Sequence, residues 1–460
     1  MNSLVGLAAL NALFLLAGGS LLWGIRGLSA WSELVRLAGI AYLLGTAASV
    51  LVLTQLLIVG IDLSVPLVIG VTGTLILAGI VAGRKRQRPA LRLPTAQEPL
   101  ALVGVLLASL VALNLAIVFR VARAQGLTAW DAWAFWTQKA QAIYHSGGLD
   151  EQLFTTLPGP SYPIFIPTLE GTAFAFMGSA DTVTLHVQFW LLAVGFLAAV
   201  AGLLRPTVPL AVIWPFLALT LLMPEFDYRL LAPFADATLG YLFVLAALCL
   251  ALWLARREGW LLASSGVFLA AAMATKREGQ ILAGALVLAA MLAATDRRRT
   301  LPRILGVAAA AWALTIPWRV WRGAQGLPGE GPGTALGGYW EQLSRVHRSL
   351  WHVVELFFDY DLWTIPAPVA VAAAVLVLLF RRLATVYARL FLATVVFTIL
   401  GFTWILWSIP ELPLDVTDQS PIPRAVGTLE LLAIAFAPLL CWQLMTAGRQ
   451  REPRGAPPPG

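Results

Sequence analysis

The feature that most constrains this chain is a series of long apolar blocks, each close to one bilayer crossing in length. A helix that crosses the ~30 Å hydrocarbon core needs roughly 20 apolar residues. Thirteen blocks suit such a crossing, at 3–23, 36–58, 64–83, 99–121, 183–204, 207–223, 236–255, 259–275, 279–295, 303–321, 365–380, 389–408 and 425–446. The expected fold is all-α: a polytopic transmembrane helix bundle of about thirteen spans, with interfacial helices in its large outer loops. Composition agrees. Of 460 residues, 59% are hydrophobic and 12% charged, and the mean hydropathy is +0.81. A soluble chain of this length needs far more charge to cover its surface.

The net charge of +7 reads as topology. The cations sit in short loops between apolar blocks, as the positive-inside rule requires. No basic face is interleaved with aromatics, so no nucleic-acid partner is expected. The run Arg84-Lys85-Arg86-Gln87-Arg88, with Arg92 beyond, anchors one loop in the cytoplasm. Counting outward puts Arg26 and Arg36, Arg205, Arg256-Arg257, Arg297-Arg298-Arg299, Arg381-Arg382 and the tail arginines Arg449, Arg451 and Arg454 on that same side. About 20 of the 31 cations fall there, Arg303 and Arg389 included. No Lys or Arg precedes the block Leu4–Trp23, so it reads as a retained first helix with its N-terminus outside rather than a signal peptide. The expected location is the plasma (inner) membrane, with multiple passes and the active site on the outer face.

Three stretches then face outward: Val121–Thr182, Arg322–Thr364 and Glu411–Arg424. They are too rich in Trp, Tyr, Pro and charge for simple connectors, and long loops in compact proteins are usually functional or disordered. Short amphipathic helices lying on the membrane surface are expected there. Tyr162–Gly178 is apolar enough to insert, but it is short and carries Pro163 and Pro167. Counting it as a span inverts every later loop, so it reads as interfacial. The organisation is then 1–98, three transmembrane helices and a basic loop; 99–300, a core with the first outer loop 122–182; 301–447, C-terminal helices with outer loops 322–364 and 409–424; and 448–460, a disordered cytoplasmic tail. No internal repeat is visible.

Several residue types point away from particular chemistries. Cys249 and Cys441 lie inside apolar blocks and read as packing residues rather than a disulfide. His145, His186, His347 and His352 show no HExxH or other tight ligand spacing. Asp359-Tyr360-Asp361 spells the D-x-D that holds metal in soluble sugar-nucleotide transferases, but in an unrelated loop context. Glu411, Asp415 and Asp418 read as solvated loop charge.

The stretch most informative about chemistry runs from Trp130 to Ala140. Trp130, Trp133 and Trp136 recur every three residues, which puts them on one side of a helix, as in an interfacial aromatic belt. Such a belt needs no chemistry. Asp131 does not suit an anchor: a carboxylate gains nothing among three tryptophans near lipid headgroups, and a low-dielectric setting makes a carboxylate a better base. Lys276-Arg277-Glu278-Gly279 joins two spans at the outer face, where adjacent cations run against the positive-inside bias. A phosphate ligand accounts for them. Arg424, at the start of the final span, is a further phosphate partner, and Arg229 a weaker one. Asp236, at the outer start of a span, fits a helix N-cap or first-turn acid favoured by the helix dipole.

Trp130-Asp131-Ala132-Trp133 through Lys139-Ala140, then Tyr162-Pro163-Ile164-Phe165-Ile166-Pro167, then Lys276-Arg277-Glu278-Gly279, resemble in that order the C-type glycosyltransferase superfamily. Its members are similar to dolichyl-phosphate-mannose protein mannosyltransferases and lipid A aminoarabinose transferases. The resemblance covers roughly Pro99 to Arg299; beyond it only the hydropathy pattern matches. It implies a catalytic Asp131, in the first large outer loop just after a transmembrane helix. It implies a substrate-binding set of Trp130, Trp133, Lys139, Tyr162, Asp236, Lys276, Arg277, Glu278 and Arg424. Many members carry an Asp-Glu pair where this chain has Asp131-Ala132, which leaves Glu170 or Asp236 as the second carboxylate. The implied partners are a polyprenyl-phosphate sugar donor, an acceptor lipid, glycan or protein, and membrane lipids. The scheme requires no cofactor and is compatible with a divalent metal. The rival expectations are a lipid or solute transporter, and a non-catalytic relative that binds lipid-linked sugar.

Overall fold

A computed structural model describes residues 2–86, 90, 101–231, 235–327, 343–380, 385–408 and 421–449. Arg88, Arg92, Arg381, Arg382, Glu411, Asp415, Asp418, Arg451 and Arg454, named above, lie outside the described residues, as does most of the tail. Among the described residues the chain is helical and forms no strand; one isolated bridge joins Ala30 and Ala90. Helices satisfy their own backbone groups, as an apolar solvent demands.

The helices in chain order are α1 Ser3–Arg26, α2 Trp31–Arg36, α3 Ala38–Ile58, α4 Val65–Gly83 and α5 Ala101–Ala124. A π-helical segment, Asp131–Trp136, then leads into α6 Thr137–Ser146, α7 Glu151–Thr156, α8 Phe165–Met177 and α9 Thr182–Leu204. Next come α10 Leu210–Leu219, α11 Pro224–Leu231, α12 Ala235–Arg256, α13 Gly259–Thr275 and α14 Glu278–Ala293. The last are α15 Arg297–Ala313, α16 Ile316–Ala324, α17 Leu343–Phe357, α18 Tyr360–Trp363, α19 Pro366–Leu379, α20 Val386–Ser408 and α21 Pro421–Arg449. Side-chain caps fix several starts: Asn2 accepts from Leu4 N–H at 3.1 Å, Ser64 from Leu67 N–H at 3.4 Å, and Asp181 from the N–H groups of Val183 and Thr184 at 3.0 and 3.1 Å.

Each expected span falls on a helix; length and composition alone qualify fewer than thirteen of them. Nine of the described helices are long and apolar enough to cross a membrane, and up to eleven if each of two bent pairs is one span. The pairs are α10 with α11, bent by 74°, and the α17–α18 segment with α19, bent by 120°. α13 and α14, at 17 and 16 residues, are shorter.

α12 is the centre of the bundle: every residue from Ala235 to Leu254 is buried. α5 and α4 are peripheral, with Leu102, Leu106, Leu113 and Leu77 exposed. α1 and α3 meet backbone to backbone. A Cβ on Gly18 would lie 1.7 Å from Ala41 O, and one on Gly45 1.8 Å from Phe14 O, so only glycine permits that approach.

α8 corrects the interfacial reading of Tyr162–Gly178. Every residue from Phe165 to Phe174 is buried, as are Phe176 and Met177, so protein rather than lipid surrounds it. At 13 residues it is about 20 Å long, too short to cross a bilayer. An amphipathic helix does occur in the Arg322–Thr364 stretch. α17 buries Ser349, His352, Val353, Leu356 and Phe357 at helical spacing and leaves Trp351 exposed.

Polar contacts sort the loops into two ends. At one end Arg26 pairs with Glu33 at 2.6 Å, Arg36 donates to Gly202 O at 2.5 Å and Arg257 donates to Thr300 at 2.8 Å. At the other, Ser3 meets Ser179 at 3.4 Å, and Leu63 N–H donates to Gly147 O at 2.5 Å. The first end carries the arginine clusters; the second carries the candidate site.

Candidate active site

Asp131 opens the π-helical segment. Such segments are rare and often mark functional positions. Its wider turn changes the tryptophan geometry expected from an α-helix. Trp130 and Trp133 are 58% and 46% exposed, but Trp136 is 2% exposed and turns inward. There its ring meets Phe135 at 4.8 Å and Tyr162 at 5.8 Å. The three tryptophans therefore do not share one side.

A chain of alternating charge runs from Asp131 across four elements. Arg424, in the first turns of α21, is ion-paired with Asp131. Its guanidinium is also 3.9 Å from Asp236, at the start of α12. Asp236 accepts from Lys276 Nζ at 2.7 Å, and Lys276 lies 3.2 Å from Glu278. Asp236 is 2% exposed and Lys276 5%. Burial disfavours the Lys276 ammonium, but the carboxylates of Asp236 and Glu278 outweigh it and hold the group above the ordinary lysine range. The partial positive charge of the α12 N-terminus favours Asp236 further.

Asp236 shares Arg424 with Asp131, while Glu170 does not join the chain. Glu170 is buried in α8. Burial pushes its carboxyl up to about 8, against the pull of the Thr137 hydroxyl and the Lys139 ammonium.

Arg277 points to the other side of the α13–α14 connection. It donates to the Ser161 hydroxyl, and its guanidinium lies over the Tyr162 ring at 4.4 Å. Tyr162 in turn meets Phe135 edge-on at 5.2 Å. Lys139 is fully buried inside this aromatic group: its Nζ donates to Gly159 O at 2.8 Å and sits 3.7 Å from the Phe135 ring centroid. Lys139 thus faces away from solvent and fastens the aromatic loop to the helix that carries Asp131.

Arg229 is 4% exposed and held in place. It pairs with Glu225 at 3.1 Å, donates to Pro423 O at 3.1 Å and lies 5.0 Å from the Trp363 ring centroid. Pro423 precedes Arg424, so Arg229 supports the backbone that presents Arg424. Asp359 of the D-x-D is a helix cap, its Oδ1 accepting from Asp361 N–H at 2.9 Å and Leu362 N–H at 3.2 Å. Among the described residues no group of three or more His, Cys, Asp or Glu side chains is arranged to hold a metal ion.

Sequence reasoning missed Ser161, Glu225 and α16. Trp318 of α16 donates to Ser161 O at 3.4 Å, and Arg319 donates to Gln280 at 2.7 Å, which packs α16 beside the α13–α14 connection. A signal for α16 lies in Ile316-Pro317-Trp318-Arg319, where a proline in the first helical turn precedes a Trp-Arg face.

No protein-family profile matches this sequence, and comparison with curated proteins and with solved structures finds no match.

Proposed function

We propose that this membrane protein is a glycosyltransferase that moves a sugar from a polyprenyl-phosphate donor to an acceptor hydroxyl on the outer face of the membrane. The observation that carries the reading is the charge chain Asp131–Arg424–Asp236–Lys276–Glu278, with the exposed Trp130 and Trp133 beside it. Carboxylates and cations at one end of an apolar bundle supply the parts that a transfer from a lipid phosphate needs. The resemblance of the Trp130–Ala140, Tyr162–Pro167 and Lys276–Gly279 motifs to the C-type glycosyltransferases supplies the reaction class.

In the proposed reaction the acceptor oxygen attacks the anomeric carbon and Asp131 takes its proton as general base. The bond from that carbon to the phosphate oxygen breaks, and the configuration inverts. The departing phosphate gains negative charge, so a cation at that position stabilises the transition state more than the ground state. Arg424 is the first candidate for that role, with Lys276 and Arg277 behind it. Trp130 and Trp133 sit where a sugar or lipid headgroup would stack. Lys139, Tyr162 and Arg229 position the loop and the start of α21. The thirteen-span topology and the outward orientation of the site belong to this proposal.

One observation favours a transport reading instead. Glu430, in the interior of α21, is completely buried, and an ionisable residue inside a span often marks a transport path. A single experiment separates the two. Purified protein in proteoliposomes is given labelled polyprenyl-phosphate sugar extracted from native membranes. The transferase reading predicts loss of label from the donor, slowed about 10²- to 10⁴-fold by Asp131→Asn. Movement of intact donor across the bilayer, insensitive to Asp131→Asn, would support transport.

A further inference from the structure

The charges of the candidate site are already matched to one another. Arg424 and Lys276 face three carboxylates, those of Asp131, Asp236 and Glu278. Adding Arg277 brings the two signs level. The cluster therefore has no surplus positive charge to offer an incoming phosphate, and a negative ligand brought beside three carboxylates is repelled unless one of them gives way.

The three carboxylates are not equally free to move. Asp236 is 2% exposed, at the start of the fully buried α12, and is held by Lys276 at 2.7 Å. Glu278 opens α14 and shares Lys276. Among the described residues Asp131 pairs with Arg424 alone, and its side chain is 25% exposed. It sits at the first residue of a π-helical turn between two exposed tryptophans. On the other side of the pair, Arg424 is held at its backbone by Arg229 through Pro423 O and in front by Asp236. Asp131 is the member of the pair that can leave.

We infer that Arg424 is the phosphate site and that Asp131 occupies it as a resident competitor, so that donor phosphate binds by exchanging with the Asp131 carboxylate. This rests on the transferase reading and adds an order to it. While Asp131 is paired with Arg424, its carboxylate is engaged and does not accept a proton from an acceptor. A phosphate on Arg424 releases the carboxylate beside the sugar it is to act on. The base becomes available only when donor is bound.

The exchange predicts an effect opposite in sign to that of an ordinary binding residue. Removing the Asp131 charge should tighten phosphate binding even as it slows transfer. The test uses full-length protein in phosphatidylcholine nanodiscs, titrated with polyprenyl phosphate and, separately, with inorganic phosphate. Asp131→Asn should bind polyprenyl phosphate at least about five-fold more tightly than wild type, a gain of about 1 kcal/mol, and Asp131→Ser should shift in the same direction. Arg424→Gln should bind more weakly than wild type. Tightening for polyprenyl phosphate alone assigns the site to a lipid headgroup; tightening for inorganic phosphate alone would overturn the lipid source. Equal or weaker binding by both Asp131 variants would overturn the exchange. A measurement on unmodified protein guards against misfolded variants: saturating polyprenyl phosphate should change tryptophan emission, and less so after Trp130→Phe and Trp133→Phe. No change in wild type would overturn the exchange as well. Asp131-dependent sugar transfer with unchanged affinity in Asp131→Asn would overturn the exchange and leave the transferase reading standing.

Discussion

Arg424 and Asp131, 293 positions apart in sequence, close an ion pair at one end of the helix bundle. The pair joins the start of the last long helix to the π-helical turn after α5. Asp236 lies 3.9 Å from the same guanidinium, so two acids from different helices meet one cation. A buried or half-buried pair of this kind contributes little net stability against an apolar alternative, yet losing one partner is costly. Such an arrangement is expected where charge serves chemistry rather than packing alone.

Lys276→Ala tests how the chain of charge is balanced. The substitution leaves Asp236 buried at 2% exposure without its closest cation. Breaking a buried pair by removing one partner costs about 3–5 kcal/mol. Thermal unfolding in detergent should show a marked fall in midpoint. The double variant Lys276→Ala/Asp236→Ala should be less destabilised than Lys276→Ala alone, because no uncompensated carboxylate remains. Additive losses in the double variant would contradict the pairing.

Gly45→Ala tests the α1–α3 contact. The added methyl would stand 1.8 Å from Phe14 O, backbone that cannot yield without separating the helices. Overpacking of this kind costs about 1–3 kcal/mol. Gly73→Ala on α4 is the control: nothing lies within 4 Å of its Cβ position. It should unfold at or slightly above the wild-type midpoint, because alanine is the better helix former. The same midpoint for Gly45→Ala and Gly73→Ala would argue against the close approach.

Glu33 gives a pH dependence at the opposite end of the molecule. Burial raises its carboxyl, but hydrogen bonds from Arg26 and from the backbone and side chain of Ser29 outweigh that and lower it from 4.5 to about 2. The folded carboxyl thus titrates below the unfolded one, and between those values the unfolded chain binds more protons. The stability from Glu33 is present above about pH 4.5 and is lost as pH falls toward 2. Unfolding midpoints measured from pH 6 downward should fall more steeply for wild type than for Glu33→Gln. Parallel curves would contradict the assignment.

Much of the architecture could be read from local sequence, and the reason is physical. A bilayer imposes a length and an apolar composition on each crossing, so α1, α3, α5, α9, α12 and α20 announce themselves without reference to one another. The arginine clusters likewise follow from a rule about loops. α8 escaped because its apolar residues suit a lipid surface and a protein interior equally well, and only its neighbours distinguish the two. Trp136 escaped because three-residue spacing has one meaning on an α-helix and another on a π-helical turn.

The candidate site was legible as a set of residues out of place: Asp131 among tryptophans, and Lys276 and Arg277 against the charge bias. Their partners were not legible. Nothing near Arg424 in sequence points to Asp131, and nothing near Lys139 predicts a cage of Phe135, Trp136 and Tyr162 closed by Gly159 O. Pairings of that kind are set by how helices pack, which single-residue patterns do not encode. That Asp236 rather than Glu170 lies beside Arg424 likewise needed the positions of α8 and α12.

The most direct test of the account asks whether Asp131 and Lys276 share a membrane face opposite the arginine clusters. In a Cys249→Ala/Cys441→Ala background, single cysteines replace Trp130, Glu278 and Arg298 in turn, and sealed cells are treated with a membrane-impermeant thiol reagent. The account predicts that cysteines at 130 and 278 react from outside, while the one at 298 reacts only after the membrane is opened. Labelling of positions 130 and 278 from opposite sides would contradict it.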